Sequence, residues 1–238
     1  MNSRRALART SKVSELTIQR LSVYLRCLET LEWAGVTTTS SKMLAEQFHL
    51  NSAQIRKDLA YFGQFGVRGV GYVVKDLRQQ LAAILGLNVG HKVCVVGGGN
   101  LGMALTEYRG FSRSGFSVVA VFDCSPSRIG TRSRSGVPIY DLRDLERVVH
   151  ELGITMAMIA VPAEAAPSVC DQLVASGIRA ILNFAPVRLN RRSGTKITSI
   201  DLSISLEGLS YFLGEPSDPG SLDGESSERE LPTSPALE

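Results

Sequence analysis

One ten-residue stretch, Val93-Cys94-Val95-Val96-Gly97-Gly98-Gly99-Asn100-Leu101-Gly102, constrains this chain more than any other. An apolar, β-branched run ends in G-x-G-x-x-G, which opens a helical segment. In a βαβ unit this arrangement gives each glycine a task. Gly97 allows the tight turn, Gly99 lets the backbone approach a pyrophosphate, and Gly102 permits close helix–strand packing. The helix N-terminus offers free N–H groups to phosphates, so Gly98, Asn100 and Leu101 belong to the same candidate site. Asp123 ends the next apolar run, 21 residues beyond Gly102. A carboxylate there can bind an adenosine ribose 2′-hydroxyl and repel a 2′-phosphate, which favours NAD(H) over NADP(H). The letters alone also fit a glycine-rich structural turn. The strand before, the helix after and the distal acid favour a nucleotide site.

From Lys92 onward short apolar runs alternate with helical stretches. Strands are expected at Lys92–Val96, Ser117–Phe122, Thr155–Val161 and Ala180–Phe184, with helices at Leu101–Ser114, Asp141–Leu152 and Ala163–Ser176. Runs apolar on both faces, joined through helices, form a doubly wound parallel sheet of the Rossmann kind. Ile197–Asp201 would add a last strand and Ile204–Leu213 a last helix. Val161-Pro162 and Asn183-Phe184 stand at strand ends. They are either plain ends or the edge of a nicotinamide site, with Phe184 against the ring.

The first third of the chain is different. Residues 1–92 carry 13 Lys and Arg against 6 Asp and Glu, whereas residues 215–238 carry 1 against 7. A basic segment suits a polyanionic partner. Leu21, Tyr24, Leu25, Leu28 and Leu31 mark an amphipathic helix over Thr17–Ala34 that Gly35 can end. Ser40 or Ser41 can cap a second helix, with Leu44 and Phe48 inside. Asn51 and Gln54 suit the start of a third, with the stripe Ile55, Leu59 and Phe62. A glycine-rich hairpin, Gly63 to Tyr72, follows, and then a linker helix over Asp76–Leu85. This order is that of a winged helix-turn-helix. Ala53, Lys57, Ala60 and Tyr61 would project outward, with Arg56 at the shoulder. Arg56 can donate twice to a guanine edge, Lys57 can reach a base or a phosphate, and Arg68 a phosphate or the minor groove. Ser41, Gln54, Arg56, Lys57, Tyr61 and Arg68 are thus the candidate DNA contacts. A solvated basic face on an interaction module would share this pattern.

Other classes find less support. Cys27, Cys94, Cys124 and Cys170 form no CxxC pair, and His49, His91 and His150 show no metal-ligand spacing, so no metal is expected. Cys124, next to Asp123, leaves a minor thiol-redox reading open. No apolar run approaches the roughly 18 residues of a membrane span, and no apolar stretch follows the basic N-terminus, so a cytoplasmic location is expected. Residues 1–13 read as a disordered basic arm and 215–238 as a disordered acidic tail. Hydride transfer usually needs a positioned acid or base. Tyr108 is the only candidate near the loop, so an enzyme is disfavoured. A Rossmann domain that only dimerises is the third possibility.

Several linked segments carry a resemblance: Arg20-Leu21, Tyr24-Leu25-Arg26, Ser40-Ser41, Ile55 to Gly63, Arg68 to Tyr72, Gly97 to Gly102, Tyr108 to Phe111, Ile181 to Pro186 and Ile200-Asp201-Leu202. In this order they resemble the Rex family of redox-sensing transcriptional repressors, over residues 14–213. The resemblance implies a winged-helix domain (14–88), a Rossmann NAD(H)-binding domain (89–203) and a C-terminal helix (204–214) swapped between the subunits of a homodimer. It implies operator DNA as partner, with NADH releasing it. It implies DNA contacts at Arg56, Lys57 and Arg68, Tyr108 near the nicotinamide, and Arg20 with Asp201 in the switch. The chain departs from the family pattern in having Ser14 where proline is usual and Arg191-Arg192 where a Val-Pro pair is usual. An added phosphate contact at that arginine pair is one outcome.

Overall fold

The computed structural model describes residues 13–213 apart from Arg68 and Arg191. The expected acidic tail, and all of the basic arm but Val13, lie outside the described residues.

The N-terminal elements are α1 (Glu15–Trp33), β1 (Thr38–Thr39), α2 (Ser41–Phe48), α3 (Ser52–Phe62), β2 (Tyr72–Val73) and α4 (Val74–Ile84). Each of the first three helices starts on a side-chain cap. Ser14 Oγ accepts from Thr17 N–H, Ser40 Oγ from Met43 N–H and Asn51 Oδ1 from Gln54 N–H, at 3.1, 3.1 and 2.9 Å. Such caps satisfy N–H groups that the helix cannot. The serine in place of proline therefore caps α1. Leu21, Leu28, Leu44, Ile55, Leu59 and Leu81 are buried in one core beneath these helices.

The expected hairpin is short: among the described residues the loop is closed by the antiparallel bridge Val67 to Gly71, and Tyr72 and Val73 pair antiparallel with Thr39 and Thr38, ahead of α2. A two-residue strand has no periodicity to read.

The second half runs β3 (His91–Val96), α5 (Asn100–Glu107), α6 (Arg109–Arg113), β4 (Phe116–Asp123), β5 (Ile139–Asp141), α7 (Leu145–Leu152), β6 (Met156–Ile159), α8 (Ala166–Ala175), β7 (Ala180–Asn183) and β8 (Lys196–Ser199). All six strands are parallel, in the order β5-β4-β3-β6-β7-β8. This is the doubly wound order, reversing between β3 and β6, where such sheets bind ligands. Two details differ from expectation. Ile139–Asp141 is a strand, hidden by the helical run directly after it. The long helix expected over Leu101–Ser114 breaks at Tyr108, whose backbone is extended (φ −71°, ψ 108°).

Helices α7 and α8 bury one sheet face around Phe122, Ile159, Leu173 and Ile181. No helix was found between β7 and β8 among the described residues. On the opposite face Val93, Phe111, Phe116, Met156, Met158, Leu182 and Thr198 line a mostly apolar groove.

The chain divides into two units, with the second beginning at Ile200. It contains α9 (Leu202–Leu213), two residues longer than expected because Asp201 Oδ1 accepts Ser203 N–H at 2.9 Å. Leu202, Ile204, Leu206, Leu209, Tyr211, Phe212 and Leu213 on this helix are exposed.

Candidate functional site

The loop between β3 and α5 shows why its glycines are there. Gly97 has φ 104°, and a Cβ on it would lie 2.4 Å from Ala160 O. A Cβ on Gly102 would lie 1.7 Å from Gly97 O. Both glycines are therefore required by the fold itself. Gly99 is different, with an ordinary φ of −71° and nothing within 4 Å of a built Cβ. Nothing within the chain requires a glycine there. The open space lies at the uncapped N-terminus of α5, whose first N–H groups lack helical acceptors. A pyrophosphate fits this cradle, and a Cβ would fill it.

Asp123 ends β4 and is 8% exposed. Its Oδ2 accepts Gly98 N–H at 2.7 Å and Arg128 Nη1 at 3.2 Å, and its Oδ1 accepts Ser125 N–H at 2.7 Å. Burial alone favours the neutral acid. The N–H donors of Ser125 and Gly98, with the Arg128 guanidinium, outweigh it and hold the carboxyl below its ordinary range. Asp123 is thus held as an anion at the end of β4, beside the glycine-rich loop.

Asn100 and Tyr108 line one cleft together with Met103, Ala104, Glu107 and Arg134. The Tyr108 ring packs edge-on to Phe111 at 5.0 Å and is 61% exposed. Leu101 is exposed on the first turn of α5. Val161 lies against Gly97, its Cγ1 3.0 Å from a Cβ built there, and Pro162 follows exposed. Phe184 N–H donates to Ile159 O at 2.9 Å, which sets the half-buried Phe184 at the carboxyl ends of β6 and β7.

Asn183 requires a correction. It is fully buried, and its amide is used internally. Nδ2 donates to Ala185 O, Val187 O and Ser199 Oγ at 3.1, 2.9 and 3.2 Å, while Oδ1 accepts Ala185 N–H at 3.0 Å. Both ends of its amide are engaged within the chain, and they hold the Phe184 loop.

On the N-terminal domain, Ala53, Arg56, Lys57, Ala60 and Tyr61 are exposed along α3. Arg56 Nη1 donates to the buried Ser41 Oγ at 3.0 Å, so Ser41 positions the arginine. Arg56, Ala60, Gly63, Gly71 and Tyr72 line a groove between α3 and the glycine-rich loop. Gln54 is half-buried, and its Nε2 donates to Asp58 Oδ1 at 2.8 Å, which braces α3. Arg68 lies outside the described residues.

Sequence reasoning missed Asp58. This buried carboxylate also accepts Arg20 Nε at 2.6 Å, Arg20 Nη2 at 2.8 Å and Tyr24 hydroxyl at 2.9 Å. Arg20, expected in a switch with Asp201, is here tied to α3. Its signal was a charge between Ile55 and Leu59 on the buried stripe. Arg128 was missed as well. Arg192 Nε donates to Asp171 Oδ1 at 2.7 Å and so braces α8, while Arg191 lies outside the described residues.

Cys27, Cys94 and Cys170 are buried and Cys124 is exposed. Burial pushes the Cys94 thiol up to about 12. A maleimide added to the folded protein is therefore expected to label Cys124 within minutes and Cys94 only after denaturation, as mass spectrometry of the peptides would show. Among the described residues no helix is long and apolar enough to cross a membrane, and no three His, Cys, Asp or Glu side chains group as metal ligands.

A winged helix-turn-helix joined to a doubly wound dinucleotide fold defines a ligand-responsive DNA-binding class of protein. Residues 12–60 match a family model described as a putative DNA-binding protein N-terminus, and residues 89–187 one described as a CoA binding domain. The redox-sensing transcriptional repressor Rex of Desulfitobacterium hafniense is 45% identical over 87% of this chain and 98% of that protein. Its counterpart in Streptomyces coelicolor is 43% identical over 87% of this chain and 80% of that one. The crystal structure of RSP in complex with β-NAD⁺ and operator DNA is similar with a TM-score of 0.81 and 37% identity, over 84% of this chain and 92% of that one. RSP in complex with β-NADH gives a TM-score of 0.76 and 35% identity, over 85% and 94%. This chain belongs to the Rex family of redox-sensing transcriptional repressors.

Proposed function

We propose that this chain acts as a homodimer that holds operator DNA through α3 and the loop before β2 and releases it when NADH occupies the loop after β3. The observation that carries the reading is Gly99. Its open space at a helix N-terminus calls for an external ligand, beside an anionic ribose partner in Asp123. On the same chain α3 presents Arg56 and Lys57 flanked by the small residues Ala53 and Ala60, which lets a helix sit deep in a major groove. The names of the RSP structures, with NAD⁺ and operator DNA in one and NADH in another, support the same pairing of ligands here.

Two features favour a dimer. The groove over β3, β6 and β7 is lined mostly by apolar side chains, and α9 carries seven exposed apolar residues. An exposed apolar helix of this kind needs a partner surface. In this reading α9 of a second copy covers that groove. Arg20 and Asp201, through Asp58 and the start of α9, are the positions at which such docking would reach α3.

The cofactor supplies a nicotinamide that is cationic when oxidised and neutral when reduced. Phe184 and Val161, at the strand ends, favour the neutral ring because burying a charge there costs desolvation. Driving the dimer from 1:99 to 99:1 takes a preference of about 10⁴-fold, which two sites can share. The chain is a regulator and not an enzyme.

The deciding experiment is a gel-shift titration on a palindromic operator with NADH, NAD⁺ and NADPH in parallel. NADH is expected to release the DNA at concentrations where NAD⁺ does not, and release indifferent to the redox state would sink the reading. In the same assay Arg56→Ala is expected to cost about 1–3 kcal/mol and relax base preference. Lys57→Ala should weaken binding more uniformly across sequences. If its contact is a phosphate, the salt slope falls by about one.

A further inference from the structure

We propose that Arg128 sets how strictly this chain refuses NADP(H), so that its cofactor choice is a balance between two side chains and not the work of Asp123 alone. This rests on the reading of the Gly97–Gly102 loop as a dinucleotide site. A bare carboxylate at the ribose edge repels a 2′-phosphate. In this chain that carboxylate is already paired, Arg128 Nη1 lying 3.2 Å from Asp123 Oδ2.

The arginine is held in place by its backbone. Arg128 N–H donates to Ser125 O at 3.0 Å, and Arg128 O accepts from Thr131 N–H at 3.0 Å and from Thr131 Oγ1 at 2.6 Å. Its stem runs along the glycine loop, Cδ being 3.6 Å from a Cβ built on Gly98. The side chain remains 47% exposed, so the guanidinium can turn from the carboxylate to an incoming phosphate without unpacking the core. The two other described arginines of this loop have other partners. Arg132 Nη1 donates to Gly136 O at 2.8 Å, and Arg134 pairs with Glu107 at 3.4 Å.

The consequences differ for the two ligands. An NAD(H) ribose offers a hydroxyl donor that Asp123 can accept. An NADP(H) phosphate meets repulsion from Asp123 and attraction from Arg128, a guanidinium being well shaped for phosphate oxygens. Removing the acid leaves a phosphate-binding arginine already in position. Removing the arginine leaves an unneutralised carboxylate.

The test measures NADH and NADPH dissociation constants by calorimetry on the full-length protein, for the wild type, Arg128→Ala, Arg128→Glu, Asp123→Ser and Asp123→Ser/Arg128→Ala. The ratio of the two constants within each variant cancels general damage to the fold. Asp123→Ser is expected to shift the ratio toward NADPH by about tenfold or more, the worth of one charge-assisted contact, and the double variant to lose that gain. Arg128→Ala should move the ratio away from NADPH and Arg128→Glu further still. An unchanged ratio in both Arg128 variants, or a double variant that matches Asp123→Ser, overturns the proposal. A wild type that binds neither dinucleotide overturns the site reading beneath it.

Discussion

An alanine at Gly99 is expected to leave the protein folded and bound to DNA but deaf to NADH, with affinity for the dinucleotide reduced by about tenfold or more. The expectation follows from the contrast within one motif. A Cβ on Gly99 meets nothing in the chain and the backbone angle is ordinary, so the melting temperature should barely move. The same Cβ enters the space that a pyrophosphate needs against the N-terminus of α5. Gly102→Ala acts differently, because its Cβ would lie 1.7 Å from Gly97 O. That clash must push α5 off β3, at an overpacking cost of about 1–3 kcal/mol or more. It should therefore lose both stability and cofactor. Thermal unfolding and NADH titration of the two variants, side by side, separate the roles. A Gly99→Ala protein that binds NADH like the wild type would remove the main support for a pyrophosphate at this loop.

Loss of Asp58 is the second large effect. Asp58→Ala is expected to destabilise the N-terminal domain by about 3 kcal/mol, and with it DNA binding. The carboxylate is 3% exposed and accepts from Arg20, Tyr24 and Gln54, so its removal strands the hydroxyl of a buried tyrosine and the amide of a half-buried glutamine. Arg20 is about one-third exposed and can turn to water, which keeps the cost below that of a fully buried pair. Burial alone would raise the pKa of Asp58. The hydrogen bonds from Arg20, Gln54 and Tyr24, with the Arg20 charge, outweigh it, and the folded-state pKa lies below the ordinary carboxylate value. The sign follows from that direction. The contribution is fully present above the unfolded-state pKa of about 4 and is lost as pH falls through the lower folded-state value. Urea unfolding followed by circular dichroism from pH 7 down to pH 3 checks this. The wild type should lose stability on acidification, and Asp58→Ala should show a smaller loss. Equal acid sensitivity in the two would contradict the assignment.

Both effects concern residues that differ in how visible they are from the chain alone. The dinucleotide loop was legible because its requirements are local. A tight turn, a close helix–strand approach and an acid at the end of the next strand each leave a residue type at a set spacing, and Gly97, Gly102 and Asp123 stand where that spacing puts them. The helices of the N-terminal domain were legible for the same reason, since caps and apolar stripes repeat within a few residues. Ile139–Asp141 and Thr38–Thr39 were not. Strands of three and two residues are stabilised by their neighbours in the sheet, and no period survives in so short a run.

The residue types and their local spacing determined that this chain has a helix-turn-helix followed by a parallel dinucleotide fold, with a glycine-rich turn after Val96 that opens a helix. Only the tertiary structure decided what each polar side chain does. Gln54 and Asn183 have the composition of contact residues, yet their amides are used inside the protein. Arg20 meets Asp58 across 38 residues of sequence, and Arg128 closes on Asp123 around a turn. A hydrogen-bonding group is committed by whatever lies within about 3 Å of it. For a long side chain that neighbour is set by the packing of elements distant in sequence, which no spacing along the chain records.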